Sequence, residues 1–456
     1  MSEALILIGL AFLGFVATLA TIWRKDLHPI VHFSPQPTPL PIKTGEKGEV
    51  QEISFRTLLE TRCKSLFTEF RPLWWIFNGH LQTIYCIFGD FSKNDRMWYD
   101  RTYLELADGG TVGLDFAPPD QSKIRPDAPI VVVQHGLTGG SYEAYVRAIL
   151  SRACAPEEDG GLGYRAVVIN FRGCAGVPLT SNLLYSAACV DDTRQALMHI
   201  AHKFPNAPLL GVGFSLGANV LTRYLGEEGE QSRVHSGCML ACPWDLVQNN
   251  WGGKHIYSKG LGGNLQNLMK RHFKVLTSDP DHIVAKAAQE AIKLKNPTLE
   301  KFDDVFTSIA GGHAPFPFKN SNGYYVWASS HKMVEHIRVP FLSINSADDP
   351  VVRHVPMDGG GNGKVAMVLT HGGGHLGWFQ AGPGYVDRWT TKPVIEWLTL
   401  MGKEFVHDPK PRGRELFTDA DGFLREKGRA DLGIKVKEGG GIIDGNGGEA
   451  GTLQGL

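Results

Sequence analysis

The chain has almost no net charge, with 46 Lys and Arg set against 47 Asp and Glu over 456 residues, and no basic stripe. That excludes the electrostatic footprint of a nucleic-acid surface, so no nucleic-acid partner is expected. Cysteine is scarce and scattered: Cys63, Cys86, Cys154, Cys174, Cys189, Cys238 and Cys242 are odd in number. Only Cys238 and Cys242 lie four apart, and neither a second pair nor a histidine partner follows at zinc spacing. A disulfide framework and a metal site are therefore not expected, and no cofactor is called for. The thiols read as reduced, which suits a body facing the cytosol. The length allows one large domain with an insertion, or two domains.

Against these absences, the stretch Gly213-Phe214-Ser215-Leu216-Gly217 carries the most information. An apolar run, Leu209-Leu210-Gly211-Val212, precedes it, and a helix-like run, Ala218-Asn219-Val220-Leu221-Thr222-Arg223-Tyr224-Leu225, follows. The pattern predicts strand, sharp turn and helix, with a serine at the apex. So tight a turn needs small residues on either side of that serine, and it turns the hydroxyl out of the sheet. A lone G-x-S-x-G is weak evidence; the strand before it and the helix after it make this one specific.

An activated serine needs a base, and the base needs an orienting acid. Residues 339–344 read as a strand running into Asp348-Asp349-Pro350-Val351-Val352, and residues 365–370 as another running into His371-Gly372-Gly373-Gly374-His375. Serine, carboxylate and histidine thus each follow a predicted strand, in the chain order of an α/β-hydrolase. Ser215 is the expected nucleophile, His375 the general base and acid, and Asp349 the orienting carboxylate. Asp348 competes with Asp349, and His371 with His375; Asp349 stands where the chain turns, and the glycine-rich loop gives His375 the reach. The bland reading of the two spare residues is loop solvation.

A run of β-branched residues at 130–133 ends in Gln134-His135-Gly136-Leu137-Thr138-Gly139-Gly140. Its glycines allow backbone to approach a substrate oxygen, so the amides of Leu137 and Leu216 are the expected oxyanion hole. His135 reads as a structural histidine.

These residues carry a family resemblance. The chain resembles the AB hydrolase 4 family of the AB hydrolase superfamily, which includes fungal medium-chain fatty acid ethyl ester synthase/esterases and animal α/β-hydrolase-domain phospholipases. The shared phrases are Asn78-Gly79-His80-Leu81-Gln82-Thr83, His135-Gly136-Leu137-Thr138-Gly139, Asn170-Phe171-Arg172-Gly173, the serine elbow through Asn219, Asp348-Asp349-Pro350, and Gly373-Gly374-His375-Leu376-Gly377. They cover about residues 70–400 and place the triad on Ser215, Asp349 and His375. Residues 311–322, and the tail beyond about Arg412, depart from the pattern. The resemblance implies medium-chain acyl groups carried by coenzyme A, ethyl esters, glycerides or phospholipids.

The expected architecture is an α/β-hydrolase fold at residues 61–411: a mostly parallel central sheet, helices on both faces and a helical cap at about 245–335. An antiparallel hairpin is predicted at 102–106 and 113–116. In the cap the strand–helix alternation stops and aromatic residues accumulate, among them Trp251, Phe302, Phe306, Tyr324, Tyr325 and Trp327. A few of them are expected on one wall of an acyl pocket. Residues 4–23 are uncharged, almost wholly apolar and followed by Arg24-Lys25. They predict a retained transmembrane anchor, hence a single-pass membrane protein with a cytosolic catalytic domain and membrane lipid as a partner. Residues 24–60 read as a proline-containing linker, and the glycine-rich residues 428–456 as a disordered tail.

The expected chemistry is attack of Ser215 on an ester or thioester, an acyl-enzyme, and release to water or to a small alcohol such as ethanol. A membrane-anchored medium-chain esterase with possible acyl transfer is the first reading; a phospholipase or monoacylglycerol lipase is the second. A catalytically dead fold used as an interaction module is the third, and the complete serine, acid and histidine set argues against it.

Overall fold

The computed structural model describes residues 27–45, 48–249, 256–382, 385–408, 412–449 and 451–456. Its strands run β1 (Ile30–Phe33), β2 (Pro39–Thr44), β3 (Glu49–Ser54), β4 (Trp98–Leu106), β5 (Thr111–Ala117) and β6 (Ile130–Gln134). β7 (Arg165–Asn170), β8 (Leu209–Phe214) and β9 (Val234–Leu240) follow, each reached through a helix. β10 (Phe341–Ser346), β11 (Val365–Thr370), β12 (Phe379–Gly382), β13 (Tyr385–Arg388), β14 (Leu416–Thr418), β15 (Leu424–Glu426) and β16 (Arg429–Asp444) complete the set.

Twelve of these strands form one sheet in the order β1-β11-β10-β9-β8-β6-β7-β5-β4-β16-β15-β14. The centre, from β11 to β7, is parallel throughout. Both flanks are antiparallel, with β4 and β5 forming the expected hairpin. Alternate residues along the central strands enter opposite core layers. Ile130 and Val132 join the layer of the helices Val190–Lys203 and Leu216–Glu228. Val131 and Val133 join the layer of Phe55–Arg62, Ala144–Cys154 and Thr391–Thr399. A sheet covered on both faces needs near-continuous apolar strands, and Ile-Val-Val-Val-Gln in β6 is buried along its whole length.

The described chain between β9 and β10 holds helices joined by turns and no strand, including Ile256–Arg271, Ile283–Ala291 and Ser321–Ala328. Phe302 and Phe306 are buried there, and Phe316, Phe318, Tyr324 and Trp327 form one aromatic cluster in which Phe316 meets Phe318 and Trp327 edge to face. Trp251 lies outside the described residues.

Three expectations are corrected. The single-pass membrane placement is overturned: among the described residues, no helix is long and apolar enough to cross a membrane. Residues 4–23, on which it rested, lie outside the described residues. The linker, from residue 27 onward, is part of the fold. β1 pairs with β11, β2 and β3 form a hairpin, and the helix Phe55–Arg62 sets Phe55 edge-on against Trp397. In β2, Pro39 and Pro41 alternate with the inward-facing Leu40 and Ile42, a strand period that proline content masks. The tail is not disordered either, because β16 pairs with β4 along most of that strand. Leu432 and Ile434 are buried, and the register shift between Lys437 and Gly441 falls on Gly439 and Gly441, whose φ angles of 106° and 134° favour glycine. Glycines that look like low complexity are the bulge of a strand covering the edge of β4.

Candidate active site

Ser215 stands where β8 ends and the helix Leu216–Glu228 begins, with φ 49° and ψ −120°, a conformation costly for a residue with a Cβ. Its glycine neighbours are sterically required. A Cβ on Gly217 would lie 2.4 Å from the carbonyl oxygens of Gln134 and His135, and one on Gly213 would lie 2.6 Å from the Cα of Ala218. The Ser215 amide donates to Leu240 O at 2.9 Å, which ties the turn to the end of β9.

Because β6, β8, β10 and β11 are parallel, their carboxyl ends share one edge of the sheet, where a crevice for ligand forms. Leu137, Ser215, Asp349 and His375 therefore converge from four loops. His375 Nε2 is 2.8 Å from Ser215 Oγ, and His375 Nδ1 is 2.9 Å from Asp349 Oδ2. All three side chains are buried. The other carboxylate oxygen of Asp349 accepts the amides of Val351 and Val352 at 2.6 and 2.9 Å, so the acid is aimed by its own turn.

The spare residues have separate fates. His371 is exposed. Asp348 is not merely solvated: its Oδ1 accepts from Ser346 Oγ at 2.7 Å and from the Gly374 amide at 3.0 Å, holding the histidine loop. His135 is wholly buried, with Nδ1 2.8 Å from Gly136 O and Nε2 accepting the Phe171 amide; burial lowers it to about 4. A neutral, doubly engaged ring of this kind is structural. Arg172 pairs with Asp192 and Asp108, both at 2.6 Å.

Sequence reasoning missed the helix Gly79–Phe88 as a support of the site. The His375 amide donates to Thr83 Oγ1 at 2.8 Å, and the Thr83 hydroxyl donates to Gly79 O at 2.7 Å. Gln82 brackets the same loop, donating to Phe379 O and accepting the Phe379 amide. Arg388 donates to the carbonyls of Leu376 and Gly377. The only signal in the sequence was the phrase Asn78-Gly79-His80-Leu81-Gln82-Thr83, which marks the segment without its purpose.

A cavity of about 650 Å³, its mouth included, opens onto Ser215. Leu137, Leu216, Leu246, Leu261, Leu265 and Val351 make its lining largely apolar, and Tyr324 and Tyr325 are the cap aromatics that reach it. Leu137 and Leu216, the expected oxyanion donors, both line it, and a Cβ on Gly136 would sit 3.4 Å from the Ser215 Cβ, so this loop passes against the serine. Among the described residues no group of three or more His, Cys, Asp or Glu could hold a metal ion. Nor is any cysteine disulfide-bonded, and burial pushes the thiols of Cys154 and Cys174 up to about 12.

A parallel-centred sheet with a serine on a strained turn and a histidine and carboxylate in line behind it defines an α/β-hydrolase. The chain belongs to the alpha/beta hydrolase family, whose model matches residues 130–388. It is 30% identical over 431 residues to monoacylglycerol lipase of Saccharomyces cerevisiae, covering 83% of this chain and 93% of that protein. To medium-chain fatty acid ethyl ester synthase/esterase 2 of the same yeast it is 29% identical over 433 residues, covering 78% and 92%. To phospholipase ABHD3 of Homo sapiens it is 28% identical over 379 residues, covering 80% and 84%. Hydrolase activity of the esterase and lipase type goes with that membership.

Proposed function

We propose that the chain is a serine esterase acting on medium-chain acyl esters through an acyl-enzyme on Ser215. The observation that carries this reading is the line Ser215–His375–Asp349, at 2.8 and 2.9 Å, opening on a largely apolar cavity. His375 Nε2 takes the hydroxyl proton as Ser215 Oγ attacks the carbonyl carbon. The negative oxygen of the tetrahedral intermediate is received by the amides of Leu137 and Leu216. The carbon–oxygen bond to the leaving alcohol breaks, and His375 returns the proton to that oxygen. Asp349 keeps the Nδ1–H tautomer and stabilises the imidazolium. Water then adds to the acyl-enzyme and releases the acid; ethanol in its place yields an ethyl ester, and acyl-CoA serves as an alternative acyl donor.

The test is octanoyl-CoA with ethanol, quantifying octanoate and ethyl octanoate separately for wild type and Ser215→Ala. Both products should fall by about 10⁴-fold or more in the variant. Ethyl ester in wild type establishes alcohol acyltransfer, acid alone restricts the enzyme to hydrolysis, and product formation indifferent to Ser215→Ala refutes the mechanism. A second reading, action on glycerolipids as a monoacylglycerol lipase or phospholipase, is favoured by the likeness to the yeast monoacylglycerol lipase.

A further inference from the structure

Buried polar atoms in folded proteins are nearly always paired, so those that are not need a reason. Several buried side-chain nitrogens and oxygens have no partner among the described residues, and two of them belong to residues lining the cavity at Ser215: Asn249 Nδ2 and Ser186 Oγ. Asn249 is 1% exposed and Ser186 is 2% exposed. Asn249 is also held in place, because its Oδ1 accepts the Arg353 amide at 2.8 Å, which leaves the NH₂ group as the free end. Arg353 lies just beyond Asp349, so the amide is anchored to the same loop as the acid of the catalytic line.

A third polar group shares the wall. Asp303, 4% exposed, accepts the Tyr325 hydroxyl at 2.7 Å. It stands on a π-helical turn, Asp303–Thr307, whose Thr307 also lines the cavity. Such turns interrupt an otherwise regular helix and recur at functional sites. A saturated acyl chain matches the leucines and Val351 of this cavity but has nothing to offer an amide NH₂ or a hydroxyl. A ligand that satisfies those groups carries an oxygen besides those of the ester.

We propose that Asn249 and Ser186 form a polar subsite inside the acyl-ester cavity and select esters that carry a free hydroxyl near the scissile bond. This rests on the esterase reading above and narrows its substrate class. The hydroxyl accepts from Asn249 Nδ2 and exchanges a hydrogen bond with Ser186 Oγ. Its source is either the alcohol half or the acyl half of the ester, and the substrates below separate the two.

The experiment compares kcat/KM of the full chain on ethyl octanoate, 1-octanoylglycerol and ethyl 3-hydroxyoctanoate. Variants are Asn249→Leu, Asn249→Asp, which keeps the acceptor for the Arg353 amide but removes the donor, and Ser186→Ala, which deletes a single hydroxyl. Wild type should prefer at least one hydroxylated ester to ethyl octanoate by about tenfold or more. That ratio should fall about fivefold to tenfold in each variant, as expected for one lost neutral hydrogen bond. Preference for the glycerol ester puts the hydroxyl in the alcohol half; preference for the hydroxyacyl ester puts it in the acyl half. A wild-type ratio near one, or a ratio unmoved by both Ser186→Ala and Asn249→Asp, overturns the proposal. Failure of the esterase reading looks different: ethyl octanoate hydrolysis would then survive Ser215→Ala.

Discussion

Thr83→Val separates the reactive groups from the machinery that holds them. The substitution keeps the volume of a fully buried side chain and removes one oxygen. That oxygen accepts the His375 backbone amide, so the variant leaves a buried N–H unpaired next to the imidazole proposed as general base. Stranding a buried donor costs about 1–3 kcal/mol. If the loop keeps its position, the cost appears as lost stability. If the loop shifts to find another acceptor, Nε2 leaves its 2.8 Å contact with Ser215 Oγ. At about 1.4 kcal/mol per decade of rate, the same cost becomes roughly a fivefold to 150-fold fall in kcat. Thr83 does not line the cavity, so KM should move little.

The assay is steady-state hydrolysis of p-nitrophenyl octanoate, with kcat and KM resolved, beside a urea unfolding curve for each variant. Thr83→Ser restores the hydroxyl and should recover most of the loss, whereas a role in packing alone would follow the missing methyl instead. A Thr83→Val protein with kcat within twofold of wild type and an unchanged urea midpoint refutes the argument. It would mean that Asp348, Gln82 and Arg388 hold the histidine loop without help.

Two further outcomes follow from the same geometry. Gly217→Ala places a Cβ 2.4 Å from two backbone oxygens that cannot rotate away, so it should lower stability by more than the ~1–3 kcal/mol of ordinary overpacking, read as the urea midpoint. Asp303 gives a pH signature: burial holds its carboxyl at about 7, against an ordinary 3.8. The native state therefore keeps a proton that the unfolded chain releases, and the stability due to this group is full below about pH 4, declines up to about pH 7 and is absent above. The slope is at most about 1.4 kcal/mol per pH unit. Asp303→Asn should remove that share, so the stability difference between variant and wild type changes from pH 5 to pH 8, while the share of Glu143, also held at about 7 by burial, remains. A difference constant with pH contradicts the assignment.

What was legible in the sequence follows from the range over which each feature acts. The serine elbow is a local object: apolar strand residues, glycines at fixed offsets and a helix-forming run all lie within twenty residues of one another. Asp349 and His375 could be found because each follows a buried strand, and parallel strands deliver the loops after them to one edge. Thr83 carries no such mark. Its contact with His375 spans 292 residues, and a threonine within a helix is ordinary unless its partner is known. Asp348 was discounted for a related reason: two adjacent carboxylates cannot both reach the imidazole, and the one left over resembles solvated loop until the Gly374 amide is seen upon it.

The errors at the two ends of the chain have a different origin. Proline, glycine and charge suggest that a segment has no core to join, but that inference holds only for a segment with no surface waiting for it. A sheet with β4 or β11 at its edge offers unpaired amides and carbonyls along its whole length, and backbone pairing asks little of side chains. Four residues suffice for β1 to occupy the β11 edge. On the other edge, two buried apolar side chains and a glycine bulge seat β16 on β4. The composition of such a strand reports its exposed face, and its reason for being ordered lies in the neighbour. The cavity obeys the same logic: Asn249 and Ser186 are ordinary loop residues in sequence, and acquire meaning only because the fold buries them in the wall of the cavity at Ser215 and leaves Asn249 Nδ2 and Ser186 Oγ without partners.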